Sequence, residues 1–341
     1  MIVARNAGEE VDLATLLGVA TLQIGVLGAA RITPAALIRP ARSIPQVRIA
    51  AVAARDPARA AAFAAEHKIP KTFSSYAELL ADPGIQAVYI PLPNGLHAEW
   101  ALAAIAAGKH VLCEKPMTSN AAEAAEVAEA GARAGVVVTE AFHYRYHPLA
   151  DRVLQLVPTL GELRHVETRF CFPLPRFGDI RYSYELAGGA MMDAGCYAVH
   201  ALRTFAGQEP EVVAARATLK SPQVDRALVA EYAFPHGATG RTTASMWSRH
   251  LLSISAKVVG ERGALRIFNY LMPQVYNRLT VRLDGRSRHE RVRGDSTYSY
   301  QLRAFVKAVE GGPNLTPASD AVHTMRLIDA AYLKAGLKPR G

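Results

Sequence analysis

Between residues 22 and 139 short apolar runs alternate with helix-forming stretches, and few architectures accept that rhythm. Leu22–Gly28, Val47–Ala54, Thr72–Phe73, Ala87–Leu92, Val111–Cys113 and Val136–Thr139 read as strands. Between them, helices are expected from about Ile32, from Asp56-Pro57 to His67, from Ser74 or Ser75, from about Gly95 to Ala107, and from Ala121 to Ala134. Asp56 is a natural N-cap, and Pro57 suits the first helical position because its missing N–H is not needed there. Strand–helix alternation at this spacing means parallel strands joined by right-handed crossovers, a doubly wound Rossmann-type sheet.

The rhythm changes after residue 150. Arg164–Phe172, Val212–Leu219, Leu228–Phe234, Thr239–Trp247, Ser253–Val259 and Leu279–Leu283 read as strands separated by Gly, Pro and Asp turns, with few helices among them. That pattern favours a large, mostly antiparallel open sheet within an α+β domain. Helical sequence returns at Tyr298–Val309 and Ala318–Ala335. The expected division is therefore an extension over 1–21, a dinucleotide-binding domain over 22–147, and a substrate-binding and association domain over 148–341, whose last helices pack back on the first.

Lys and Arg number 39 against 30 Asp and Glu, a formal charge of +9, but the cations are scattered. A dense basic run would indicate nucleic acid; a dispersed excess fits a basic surface that also attracts a phosphorylated cofactor. Cys113, Cys171 and Cys196 form no paired spacing, which argues against a disulfide framework or a Cys-based zinc site and fits a reducing, cytoplasmic setting. Leu13–Ala30 carries no charge, but Glu9, Glu10 and Asp12 before it make a poor signal n-region, and its second half is explained as strand and turn. Residues 1–20 are read as a loosely ordered extension, with export as the lesser alternative; no membrane role is expected.

The chemistry-bearing residues gather at expected strand ends, where ligands of open α/β sheets sit. Gly25-Val26-Leu27-Gly28-Ala29-Ala30-Arg31-Ile32-Thr33 occupies the place of a dinucleotide-binding turn; Gly28 matches the G-x-G-x-x-G pattern, while Ala30 and Thr33 replace two glycines. Arg55 stands at the end of the second strand where NAD-binding chains carry a carboxylate, and Arg59 lies one helical turn later; the pair favours the 2′-phosphate of NADP over NAD, unless Arg55 lies on a solvated rim. After Pro91, Asn94 is a helix cap or a cofactor contact, and His97 faces the nicotinamide ribose or solvent. The apolar run Val111-Leu112-Cys113 stops at Glu114-Lys115-Pro116, which places Lys115 at the same crevice.

A second group follows Gly188-Gly189. In a helix, Asp193, Tyr197 and His200 fall on one face. A tyrosine beside a lysine works as an acid/base, since the ammonium favours the phenolate; an Asp–Tyr hydrogen bond tying two domains together is the plainer alternative. Tyr144 and Arg145 close the first domain as substrate contacts or interface residues. With Arg176, Tyr182 and His200 they suit a polar, hydroxyl-rich ligand. No metal site is expected.

Glu114-Lys115-Pro116, the Asp193-x-x-x-Tyr197 segment and the order of elements together resemble the Gfo/Idh/MocA family (glucose–fructose oxidoreductase, inositol dehydrogenase) over nearly all of residues 22–340. Tyr197, where many members have histidine, is similar to the subgroup of dimeric dihydrodiol dehydrogenase and NADP-linked aldose dehydrogenases. The resemblance implies NAD(P)-dependent hydride transfer on a sugar, polyol or dihydrodiol. It implies Tyr197 as acid/base, assisted by Lys115 and Asp193, with Tyr144, Arg145, Asp193, Tyr197 and His200 toward the substrate. Gly28, Ala29, Ala30, Arg31, Ile32, Arg55, Pro91, Asn94, His97, Glu114 and Lys115 are expected to line the cofactor. A homodimer or homotetramer through the second sheet is also expected. A dinucleotide-binding redox sensor without catalysis is the alternative on the same scaffold.

Overall fold

A computed structural model describes residues 21–176, 178–247 and 252–341; the expected extension lies outside them but for Thr21. The first sheet has six parallel strands: β1 (Leu22–Leu27), β2 (Val47–Ala53), β3 (Lys71–Phe73), β4 (Ala87–Ile90), β5 (His110–Cys113) and β6 (Val138–Glu140). Their order is β3-β2-β1-β4-β5-β6. The order reverses direction beside β1, and the crevice at the carboxyl ends of β1 and β4 is where such sheets take dinucleotides. β4 is buried at every residue, because helices cover both faces of the sheet.

Local signals set the helix starts. Asp56 caps the helix Pro57–His67 by accepting from the Ala58 amide at 2.9 Å. Asn120 accepts from Glu123 N–H at 2.9 Å, while Glu123 returns to the Ser119 amide at 2.8 Å. A cap of this kind stabilises its helix by ~1 kcal/mol. The stretch after β1 differs from expectation: it opens as a π-helical turn, Pro34–Ile38, before Arg39–Ala41.

The second sheet has eight strands: β7 (Leu163–Cys171), β8 (Glu211–Ser221), β9 (Val224–Ala233), β10 (Thr239–Ser245), β11 (Ser253–Gly260), β12 (Gly263–Phe268), β13 (Arg278–Leu283) and β14 (Arg286–Glu290). The order is β14-β13-β12-β11-β7-β10-β9-β8, antiparallel except for β10 against β7. β12 and β14 were not expected, and neither was the helix Pro148–Leu156. β12 follows a charged Gly-flanked turn, β14 is entirely polar, and the helix hid behind the aromatic cluster that precedes it. Its signals are a His147 ring nitrogen accepting from Leu149 N–H, Pro148 at the first position, and Leu149, Val153 and Leu156 facing the core. One face of the second sheet packs on the helix Cys196–Ala206. Of the last two helices, Thr297–Val309 contacts the π-turn after β1 and Ala318–Lys334 contacts Ala121–Ala134.

Candidate active site

β5 delivers Glu114, Lys115 and Pro116 to the crevice, and the Lys115–Pro116 bond is cis. The turn is held from several sides. Tyr89 on β4 donates its hydroxyl to Glu114 at 2.8 Å, and Glu140 at the end of β6 accepts from the Met117 amide at 2.8 Å. His97 corrects the sequence reading: it faces neither a ribose nor solvent. It is buried, with Nδ1 2.7 Å from the Pro116 carbonyl and Nε2 2.7 Å from the Leu92 carbonyl. Burial lowers its pKa to about 4 although both carbonyls favour the cation. At pH 7 the ring is therefore neutral and donates to one carbonyl at a time, tying the β4 and β5 turns together.

Opposite stands the π-helical turn Met191–Gly195, which leads into the helix Cys196–Ala206. Lys115 Nζ donates to the Asp193 carbonyl at 2.9 Å and to Asp193 Oδ1 at 3.3 Å, and lies 4.8 Å from the centre of the Tyr197 ring. Arg181 takes the other carboxylate oxygen, Nε to Oδ2 at 3.1 Å, and also pairs with Asp179 at 3.0 Å. Burial works against both partners of the central pair. Even so, Asp193, with Cys196 and Glu114, holds the Lys115 ammonium above the ordinary lysine value. Lys115 and Arg181 likewise hold the Asp193 carboxyl below its ordinary value.

The Tyr197 phenol overturns a second expectation. Its pKa is raised well above 10, because burial dominates and Tyr298, Glu114, Cys196 and Asp193 add to it. The Lys115 ammonium expected to lower it is paired with Asp193 at 3.3 Å. The ring is fixed edge-on by Phe142 at 5.4 Å, His143 at 5.6 Å and Phe170 at 5.7 Å. Its hydroxyl hydrogen-bonds to none of the described residues.

The remaining residues separate into three groups. Gly28 has φ +111, and a Cβ there would lie 2.9 Å from Leu92 Cδ2, so the turn after β1 is open only to glycine. Beside it Arg59 donates to the Ala29 carbonyl at 3.3 Å, and the Tyr76 hydroxyl contacts the Arg55 backbone. Ala29 and Ala30 are half-buried, Arg31 and Ile32 exposed, and Pro91 buried. The Asn94 side chain donates to the Ala187 carbonyl at 3.2 Å, joining the β4 turn to the loop before Met191. Tyr144 and His200 face each other rather than Lys115. The buried Tyr144 hydroxyl lies 2.6 Å from His200 Nδ1, and His200 Nε2 lies 3.2 Å from Asp320. The π-turn displaces Asp193 from the simple helical stripe, and His200 stacks on Phe142 at 4.0 Å instead of joining it. Arg145 pairs with Asp151 at 3.2 Å, Tyr182 donates to the Leu174 carbonyl at 3.0 Å, and Arg176 is exposed.

Sequence reasoning missed Tyr76, Tyr89, Arg181, Phe170 and Tyr298. Arg181 lies in an irregular stretch and Tyr298 a hundred residues beyond Tyr197, so no local pattern pointed to either. No three His, Cys, Asp or Glu side chains among the described residues are grouped to hold a metal ion, and none of their helices is long and apolar enough to cross a membrane.

A family model described as an oxidoreductase family with an NAD-binding Rossmann fold matches residues 22–142, and one described as the GFO/IDH/MocA C-terminal domain matches residues 158–266. The chain belongs to the GFO/IDH/MocA oxidoreductase family. The family and fold class expected from the sequence are thus borne out. Among GFO/IDH/MocA-type relatives, D-xylose 1-dehydrogenase (NADP(+)) 2 of Haloferax volcanii is 41% identical over 320 residues, covering 92% of this chain and 97% of that one. Trans-1,2-dihydrobenzene-1,2-diol dehydrogenase of Sus scrofa is 37% identical over 229 residues, 65% of this chain and 66% of that one. The solved structure of KijD10, a 3-ketoreductase from Actinomadura kijaniata in complex with NADP and TDP-benzene, superposes with a TM-score of 0.85 at 27% identity, covering 93% of this chain and 98% of that one. The relatives are dehydrogenases and reductases, and this chain is an oxidoreductase of the same kind.

Proposed function

We propose that this oxidoreductase uses NADP(H) to interconvert a carbinol and a carbonyl on a sugar, polyol or dihydrodiol. The observation that carries the reading is the Lys115 ammonium poised 4.8 Å over the Tyr197 ring, where β5 meets the Met191–Gly195 turn. The residues around Gly28 fit a 2′-phosphorylated dinucleotide. The glycine turn leaves room for close approach of a pyrophosphate, Asp56 is committed to its helix cap, and Arg55 and Arg59 supply positive charge at the end of β2. When bound, the nicotinamide supplies or accepts the hydride.

The chain's own residues handle orientation and the proton. Tyr197, protonated at neutral pH, donates its phenolic proton to the oxygen of a carbonyl being reduced. In the oxidative direction it takes the hydroxyl proton, a step that alkaline pH assists. Lys115 hydrogen-bonds the reacting oxygen with its remaining N–H, and Asp193 fixes the ammonium from below. Proton transfer of this kind contributes about 10²–10⁴-fold. Residues 22–147 form the dinucleotide-binding unit, 148–341 the substrate-binding unit, and the uncovered face of the second sheet is the surface for a homodimer or homotetramer.

The test is turnover followed by nicotinamide absorbance with NADP and with NAD, against D-xylose, other aldoses, polyols and trans-dihydrodiols. NADP reduction with at least one of them is expected, with a preference over NAD that Arg55→Ala abolishes. Binding of NADP without turnover on any of them refutes the enzyme reading and leaves a dinucleotide sensor.

A further inference from the structure

Away from the crevice, one buried ion pair belongs to no part of the mechanism. Arg340, in the segment after the last helix, and Asp225 on β9 are both fully buried. Arg340 Nη2 donates to Asp225 Oδ1 at 3.0 Å, Nε to the Gly188 carbonyl at 2.8 Å, and Nη1 to the Lys338 carbonyl at 3.0 Å. Its guanidinium lies 4.0 Å from the centre of the Tyr332 ring, and Tyr332 donates its hydroxyl to Asp225 at 2.9 Å. The second Asp225 oxygen accepts from the Met191 amide at 2.7 Å. The side-chain hydrogen bonds of the pair to the loop before the π-helical turn thus end on Gly188 and Met191.

Those two residues bracket the start of the turn that presents Asp193. Gly189 has φ +135, and a Cβ on it would lie 2.2 Å from Asp225 Oδ1, so the loop packs directly on the ion pair. The Gly189 amide donates to the Arg181 carbonyl at 2.8 Å, and its carbonyl accepts from the Asp193 amide at 3.0 Å. The same short loop therefore fixes the backbone of Asp193 and of Arg181, one of the two cations that hold its carboxylate. The Arg340 carbonyl accepts from Asn120 at 2.8 Å, the cap of a helix in the first sheet's layer. The segment consequently ties the two halves of the crevice together.

We propose that Arg340, acting with Asp225, is a positioning residue of the active site: it clamps Gly188 and Met191 and so sets where Asp193 meets Lys115. The inference rests on the Lys115–Asp193–Tyr197 reading above and deepens it. A guanidinium is needed because three acceptors in different directions must be served by one rigid fork, which an ammonium cannot do in the same geometry.

The full-length chain is tested as Arg340→Lys, Arg340→Met and the double variant Arg340→Met/Asp225→Asn. The double variant leaves no buried charge without a partner and keeps the question open if the single changes fail to fold. For the folded double variant we expect kcat to fall at least about tenfold while KM for NADP(H) stays within about twofold, the signature of lost transition-state geometry rather than lost binding. Arg340→Lys, which preserves the charge, recovers part of the rate. The alkaline limb of the kcat profile moves to lower pH, because Lys115 without a well-placed Asp193 gives up its proton more readily. Folded variants with parental kcat and pH profile, however far their melting temperature drops, overturn the proposal. Tyr197→Phe measured beside them separates the two readings. If it is inactive while the Arg340 variants are not, the clamp alone fails; if it retains turnover, the active-site reading fails and takes the clamp with it.

Discussion

Tyr197→Phe separates chemistry from folding more cleanly than any other substitution in the crevice. The change removes one oxygen. Among the described residues that oxygen hydrogen-bonds to nothing, whereas the ring contacts to Phe142, His143 and Phe170 and the Lys115 ammonium above the face all survive in phenylalanine. No buried partner is orphaned, so folding stability should move by no more than ~0.5 kcal/mol, the range of a substitution that breaks no specific interaction. In a domain of ordinary size that is a melting shift of about 1–2 °C. Turnover should fall by about 10²–10⁴, or ~2.7–5.5 kcal/mol of barrier at 1.36 kcal/mol per decade. The loss in barrier is thus at least about five times the loss in stability. Scanning calorimetry of the two proteins, with kcat from nicotinamide absorbance on the same samples, measures both quantities. Parental turnover within about threefold would remove the phenol from the proton path, and a large melting shift would show that the hydroxyl has a structural partner.

Two further outcomes follow from groups around the crevice. Glu140 is buried and its pKa is raised to about 8, chiefly by burial. Its folded value exceeds its unfolded value of 4.5, so the folded state prefers the protonated acid. The parent protein therefore loses stability as pH rises from about 4.5 through about 8, by up to ~5 kcal/mol. Glu140→Gln keeps an oxygen for the Met117 amide and has no proton to lose; denaturant titrations across that window should show the variant gaining on the parent as pH rises, and parallel curves would refute the assignment. Gly189→Ala places a methyl 2.2 Å from Asp225 Oδ1 at φ +135, and should cost ~3 kcal/mol or more, read as a fall in the denaturation midpoint.

What the sequence disclosed and what it withheld divide by distance along the chain. Asp56-Pro57 and Ser75 announced helix starts because a cap acts over three residues, and the apolar runs of β1, β2, β4 and β5 announced a parallel sheet because burial on both faces demands them. The approach of Lys115 to Tyr197, eighty-odd residues apart, was reached only through the combination of motifs. Pairings without a motif stayed hidden. Nothing local in His97 tells that two carbonyls would enclose it, and nothing in Tyr144 and His200 that they would turn to each other and to Asp320. The Tyr197 phenol was expected to titrate low because a lysine stands beside it; the carboxylate paired with that lysine, and the burial around the ring, belong to tertiary structure. β14 escaped because Arg286-Ser287-Arg288-His289-Glu290 offers no alternation of apolar and polar side chains.

That same outermost strand has a consequence for how the molecule behaves in crowded solution. The eight-stranded sheet ends on β14 at one side and β8 at the other. A row of free amides and carbonyls invites a foreign strand to zip on, the route to indefinite fibres. β14 meets that hazard with two arginines, a histidine and a glutamate held by Arg152 and Arg288, while β8 breaks its pairing register three times along its length. Neither rim offers a straight, uncharged template, so the wide sheet can remain partly bare without seeding polymerisation.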